Sequence, residues 1–197
     1  MSKLHDICQR SGIKPDALVS VAEALGVSQV GPWLAGGSLR RLLLQDDPFG
    51  SDLDFFFRDD GQADAFAERL RKLGFRKVFS TAHATTWKGC IDGRELVVQA
   101  VRIGFYASPG DLIDAFDFTI CQLAWDGSAL TIGEHTLWDL GRKRLVIHKV
   151  SYAVATVRRI LKYTKQGFTI CSGSITRLLK DVADDPSVIR KEVEYVD

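Results

Sequence analysis

The sequence predicts an α+β fold, a mixed sheet flanked by helices, followed by a helical C-terminal segment. Three observations predict it. In the first two-thirds of the chain, short runs rich in Val, Ile, Thr and Phe alternate with segments whose apolar residues recur at helical spacing. Gly, Pro and Asp-Gly pairs punctuate the junctions between them. From Ala153 the strand-like runs cease and helical spacing takes over.

The elements follow in order. Asp16 to Leu25 has helical spacing, with Asp16 as its expected N-cap and Gly26 as its stop. Val30 to Ala35 reads as a short buried strand. Gly36-Gly37-Ser38 is a tight turn, Leu39 to Leu44 the start of a helix, and Gln45 to Ser51 a loop. Asp52 to Phe57 is an apolar strand with acids embedded in it. Ala63 to Leu73 is an amphipathic helix ended by Gly74. Two strands follow, Val78 to Trp87 and Arg94 to Phe105, joined by a hairpin at Cys90-Ile91-Asp92-Gly93. Ser108-Pro109-Gly110 breaks the chain, Phe116 to Trp125 reads as a strand, and Asp126-Gly127 as a turn. Ala153 to Gln166 and Ser172 to Val182 are helices, Gly167 closes the first, and Asp185-Pro186 opens a third.

Composition sets limits on what such a chain does. With 197 residues, 46% hydrophobic and 26% charged, it can bury a core without staples. Lys plus Arg number 26 and Asp plus Glu 25, a formal net charge of +1. That balance argues against bulk electrostatic attachment to nucleic acid; any such contact needs a local patch. Cys8, Cys90, Cys121 and Cys171 show no metal or redox spacing and read as reduced, buried thiols. Met1 to Lys14 is polar, and no stretch approaches the roughly 18 apolar residues of a membrane span. The expectation is a soluble protein of a reducing, cytoplasmic compartment.

The chemistry concentrates between Gly36 and Asp54. Glycines between a strand and a helix let backbone N–H groups approach an anion closely, and the hydroxyl of Ser38 can donate to a phosphate. Asp52 and Asp54, two apart on a strand, face one side; Leu53, Phe55 and Phe57 face the other, toward the core. Adjacent carboxylates repel, and a bridging cation offsets that cost. Hard oxygen donors suit Mg²⁺, which also coordinates phosphates. A lone Asp-x-Asp would be read as a solvated strand end. The phosphate cradle shortly upstream favours a triphosphate and its metal instead.

These residues resemble the polymerase-β type of nucleotidyltransferase, and within that superfamily the head and neck of tRNA nucleotidyltransferases and bacterial poly(A) polymerases. The family's G-G-x-V-R-D-x-L-L-G followed by D-x-D is matched by Gly36-Gly37-Ser38-Leu39-Arg40-Arg41-Leu42-Leu43-Leu44, then Asp52-Leu53-Asp54. Its R-R-D-F-T-I-N-A-L-A-Y-D segment resembles Ala115 to Asp126, its D-L segment Asp139-Leu140, and its neck helix Arg159-Ile160-Leu161-Lys162 with Gly167-Phe168. The motifs occur in order from about Trp33 to Phe168.

The resemblance implies transfer of a nucleoside monophosphate from an NTP to an acceptor hydroxyl, with release of pyrophosphate. It implies that Asp52 and Asp54 hold Mg²⁺, that Asp117 reads the ribose hydroxyl, and that Gly36, Gly37 and Ser38 hold phosphate. Arg40, Arg159 and Lys162 would contact the nucleotide. It also implies an arrangement of an N-terminal helical segment (1–30), a nucleotidyltransferase head (31–150) and a helical neck (151–197). The acceptor stays open between a small molecule, a protein and an RNA 3′ end. No membrane partner is expected.

Departures from the family pattern are as informative. Relatives in the superfamily usually carry a third carboxylate on a later core strand. The matching strand, Leu96 to Arg102, has no acid, so Gln99 takes the place, Asp117 substitutes, or Glu95 serves from the strand's start. The Asp after V-R is Arg41, and the two arginines before Asp117 are Ala115 and Phe116. The base-reading E-D-x-x-R is Ala155-Thr156-Val157-Arg158-Arg159, so its acids are gone. These changes support an alternative: a catalytically degenerate relative that binds nucleotide or a protein partner in a regulatory role. Outside these motifs, the basic residues Arg142 to Arg144, His148, Lys149, Arg158 and Lys165 read mainly as a solvated surface. His83 reads as a core histidine or a site residue, and the four tryptophans read as core.

Overall fold

The computed structural model describes residues 3–10 and 14–191. Its centre is a seven-stranded mixed sheet in the order β3-β4-β5-β2-β1-β6-β7. The strands are β1 (Trp33–Ala35), β2 (Leu53–Phe56), β3 (Arg76–Ser80), β4 (Ala84–Ile91), β5 (Arg94–Val101), β6 (Leu123–Trp125) and β7 (Leu130–Ile132). Only the β2–β5 pair is parallel among these; the other neighbours are antiparallel. Around the sheet lie α1 (Lys3–Arg10), α2 (Asp16–Leu25), α3 (Gly37–Leu43), α4 (Asp60–Lys72), α5 (Pro109–Asp114) and α6 (Thr136–Gly141). The C-terminal part holds α7 (Ala153–Lys165), α8 (Ser172–Asp184) and α9 (Ser187–Arg190), with β8 (Arg144–Leu145) and β9 (Thr169–Ile170) forming a small parallel pair. This is the α+β architecture the sequence predicts.

Local chemistry accounts for the boundaries. Asp59 caps α4 by accepting from the Gln62 N–H at 2.8 Å, and Ala63, Phe66 and Leu70 bury its apolar face. The β4–β5 hairpin pairs Ile91 with Arg94, leaving a two-residue turn of Asp92 and Gly93. Both have positive φ, 51° and 77°, the twist a tight hairpin requires.

The main core lies on one face of the sheet. Leu34, Leu53, Phe55, Phe57, Phe66, Val98 and Trp125 meet there, joined by Leu4 and Cys8 of α1 and by Tyr163, Phe168 and Leu178 from the C-terminal part. On the other face a smaller cluster gathers Trp33, Phe56, Leu112 and Ile113. Phe56, on the same strand side as Asp52 and Asp54, packs edge-on against Phe116 and Tyr106.

Several expectations are corrected. Pro15, not Asp16, occupies the N-cap of α2. The first strand begins at Trp33, and Val30 is exposed. The helix after the glycines starts at Gly37. The run Val78–Trp87 is two strands, broken at Thr81 to His83, where the Thr81 hydroxyl accepts from the His83 and Ala84 N–H groups. Ser108-Pro109-Gly110 starts a helix: Ser108 accepts from the Asp111 N–H, and Pro109 stands in the first turn. Of Phe116–Trp125, only Leu123 to Trp125 is strand, preceded by a 3₁₀ turn at Thr119–Cys121. Among the cysteines, all free, Cys8 and Cys121 are buried but Cys90 and Cys171 are exposed. Trp138 is also exposed, with the Arg142 guanidinium 3.3 Å above its ring. Among the described residues, no helix is long and apolar enough to cross a membrane.

Candidate active site

A cavity of about 570 Å³ opens on the sheet face that carries Asp52 and Asp54. Its walls come from the β1–α3 turn, β2, the start of β4 and the end of β5, the segment after β5, and α7. Gly36, Gly37, Arg40, Asp52, Asp54, Asp117, Arg159 and Lys162 all line it. The structure therefore brings together these sequence-predicted residues from segments far apart in the chain. Ser38 is the exception: it is fully buried behind the turn and does not line the cavity, and its hydroxyl has no partner among the described residues.

The turn works through backbone geometry. Gly36 has φ 75° and ψ −118°, a conformation that side chains disfavour, and its carbonyl accepts the first helical bond from the Arg40 N–H at 3.0 Å. A Cβ on Gly37 would lie 3.5 Å from the Ser51 hydroxyl, so the turn packs against the end of the 45–51 loop. Arg41 holds that loop by donating from Nε to the Asp47 carbonyl at 2.6 Å.

Asp54 is the electrostatic focus. Burial, and then the neighbouring Asp52 carboxylate, push its pKa up to about 7; Arg159, Lys162 and Arg40 act in the opposite direction. Arg40 is itself buried, and its partners are neutral: the Cys121 thiol and the Gln166 amide oxygen at 3.5 Å each, and the Tyr163 ring at 4.5 Å. Burial raises both the Tyr163 phenol and the Cys121 thiol above their ordinary ranges, so both stay neutral beside it. A buried guanidinium among neutral groups leaves positive charge directed at the cavity. Arg159 differs, because its Nη1 donates to Asp117 Oδ2 at 2.7 Å; Thr156 donates to the same oxygen at 3.4 Å.

The three sequence candidates for a third acid fall in different places. Gln99 pairs with Asp54 in the parallel β2–β5 register, and its Nε2 donates to Asp52 Oδ2 at 3.2 Å. Asp117 is turned to the Arg159 guanidinium. Glu95 is exposed and does not line the cavity. Among the described residues, no group of three or more His, Cys, Asp or Glu side chains could hold a metal ion. Two carboxylates nonetheless suit Mg²⁺, which is bound through one or two carboxylates plus substrate phosphates more often than by an all-protein cage.

Other cavity residues escaped the sequence reading. Tyr163 and Gln166 on α7 complete the setting of Arg40, and Tyr106, Phe116 and Tyr152 form an aromatic side. His83, which the sequence left open between core and site, lines the cavity from the turn before β4 and is half-buried.

Comparison with solved structures places the fold among nucleotidyltransferases. The Thermotoga maritima CCA-adding enzyme complexed with tRNA superposes with a TM-score of 0.58 at 20% identity, covering 91% of this chain and 45% of that one. A CCA-adding enzyme in complex with CTP gives 0.60 at 20% identity, covering 94% and 46%. A tRNA nucleotidyltransferase with a primer tRNA and an incoming ATP analog gives 0.55 at 20% identity, covering 84% and 50%. At the level of sequence families, the profile of the Gabija anti-defense 2 family protein matches residues 8–143, and the chain belongs to that family. Gabija anti-defense 2 of Bacillus phage SPbetaL7 is 26% identical over 154 residues, covering 77% of this chain and 37% of the relative. The chain thus spans well under half the length of that relative, and about half or less of the enzymes it superposes on.

Proposed function

We propose that the cavity binds a nucleoside triphosphate with Mg²⁺ and transfers its nucleoside monophosphate to an acceptor hydroxyl, releasing pyrophosphate. The anti-defense name of the family suggests that this transfer serves a phage against its host's defences. One observation carries the chemical reading: the half-buried carboxylate pair Asp52 and Asp54 shares its cavity with Arg40, Arg159 and Lys162, whose charges all bear on Asp54. Carboxylates alone would call for a cation, and cations alone for an anion. Both kinds of charge lining one cavity suit a phosphate chain together with its metal.

In this reading the Gly36-Gly37 turn lets phosphate oxygens approach the backbone, and Arg40, whose hydrogen-bond partners are a thiol and an amide, faces their charge. Lys162 adds a second cation from α7. Arg159, held by Asp117, keeps a fixed direction at the cavity wall. Asp52 and Asp54 would hold Mg²⁺, which when bound neutralises phosphate charge and lowers the pKa of a coordinated hydroxyl. The solved CCA-adding enzymes and their tRNA nucleotidyltransferase relative are described with CTP, ATP and tRNA. For this chain the base-reading acids are absent from α7, so the reading includes no defined base and no CCA end.

The test incubates the protein with α-³²P-labelled NTPs, Mg²⁺ and separate RNA, protein and small-molecule extracts, and follows pyrophosphate release. Label in one fraction with stoichiometric pyrophosphate is expected. The D52A/D54A pair should abolish both, and unchanged transfer in that variant would sink the proposal. Gln99, an amide on Asp52 where relatives usually carry an acid, favours a second reading in which nucleotide is bound and not turned over. Calorimetry with each NTP, with and without Mg²⁺, separates the two: binding without pyrophosphate release supports the second.

A further inference from the structure

We infer that Gln99 restricts this site to one divalent cation, and that an acid at position 99 admits a second. The inference rests on the nucleotide-binding reading above and specifies its metal stoichiometry. Gln99 sits beside Asp54 in the β2–β5 register, and its side-chain N–H₂ points at Asp52 Oδ2, 3.2 Å away. That contact has two consequences.

The first is charge. Two divalent ions in one site, about 4 Å apart, bring four positive charges and need anionic oxygens between them. Asp52 and Asp54 supply at most two negative charges, and a glutamine adds none. The same cavity already holds the charges of Arg40, Arg159 and Lys162, and Asp117, the further acid on its wall, is matched by Arg159. Among the described residues no third acid joins the pair. One cation shared between the two carboxylates and a phosphate chain is compatible with that balance.

The second consequence is direction. An amide N–H₂ donates hydrogens, so it presents positive dipole to Asp52 Oδ2 on the side facing β5. A metal ion approaching that oxygen from the same side meets a donor where it needs an acceptor. A carboxylate at the same register position offers oxygens on that side and a third negative charge.

The test counts ions with Mn²⁺ standing in for Mg²⁺, by equilibrium binding and electron paramagnetic resonance on the full chain. Each protein is titrated with Mn²⁺ alone and with Mn²⁺ plus α,β-methylene-ATP. The expected result is one ion in the parent and one more in Q99E, with a spin-coupled signal from the pair. Q99A, which removes the donor and adds no acid, should bind no more ions than the parent. Two ions in the parent, equal counts in parent and Q99E, or an extra ion in Q99A would each overturn the inference. Q99D replaces Q99E if the longer acid does not fold. Failure of the analogue to bind the parent in calorimetry would count against the nucleotide reading instead, because the difference between parent and Q99E is also read with Mn²⁺ alone.

Discussion

Asp54 carries an electrostatic cost in the folded state. It is half-buried beside Asp52, and its pKa is pushed up to about 7 from an ordinary 3.8. The folded state therefore holds a proton between those values that the unfolded chain has released. Stability falls as pH rises from about 4 to about 7, and the loss is then constant above 7. Replacing the group by its neutral isostere removes that loss. D54N should be more stable than the parent at pH 8 by on the order of 2 kcal/mol, about half of what the full shift would give because solvent screens a half-buried group, and close to it near pH 4. Urea unfolding of both proteins at the two pH values checks the sign, and a D54N protein less stable at pH 8 would contradict it. Arg40 presents the reverse case, a buried cation beside a thiol, an amide and a phenol ring that burial keeps neutral. Both residues hold charge that the fold does not fully compensate, and both face one cavity.

At the scale of elements, the β1–α3 turn fixes the geometry of the site. Gly36 combines φ 75° with ψ −118°, and a Cβ there would also come within 3.9 Å of the Phe116 ring. The space is adequate, so backbone conformation decides the outcome. G36A should cost about 1–3 kcal/mol, or lose that cost by flipping the turn away from the cavity. Thermal unfolding reads the first outcome and nucleotide affinity the second; an alanine variant unchanged in both would show the turn to be tolerant. This turn and the β2 strand were legible in the sequence, because Gly-Gly and a period-two Asp-x-Asp carry their geometry in their spacing. The β3–β4 turn was not, since Thr81-Ala82-His83 contains neither Gly nor Pro and is closed by a threonine side chain. Helix α5 was readable in principle from Ser108 and Pro109, a cap followed by a first-turn proline, but the same residues also spell a chain break. The surroundings of Arg40 were beyond reach. Cys121 and Gln166 stand 81 and 126 residues away, and no local pattern announces that they meet. Gln99 lay between: its strand was readable, but its position beside Asp54 needed the parallel register.

At the scale of the molecule, the cavity is shared between the sheet and α7. The turn, β2 and β5 supply Gly36, Gly37, Asp52, Asp54 and Gln99, while α7 supplies Arg159, Lys162, Tyr163 and Gln166. Contacts already join the halves, among them the Arg159–Asp117 ion pair, Arg40 stacked on Tyr163 and the Cys121–Tyr163 hydrogen bond. On the proposed reading, a nucleotide lying between them would add contacts to both at once, so its binding energy would oppose any motion that separates α7 from the sheet. Ligand present at a hundred times its Kd adds about 2.7 kcal/mol of stability. For a chain of this size that is a rise in melting temperature of about 5–10 °C. Mg²⁺ with α,β-methylene-ATP should produce such a shift, and EDTA should remove most of it. Amide hydrogen exchange then locates the effect. If the ligand bridges the two halves, protection should rise together in Gly37–Leu43 and in Ala153–Lys165, and by similar factors. Protection confined to the turn would mean that α7 merely borders the cavity, and the roles proposed for Arg159 and Lys162 would fall with it.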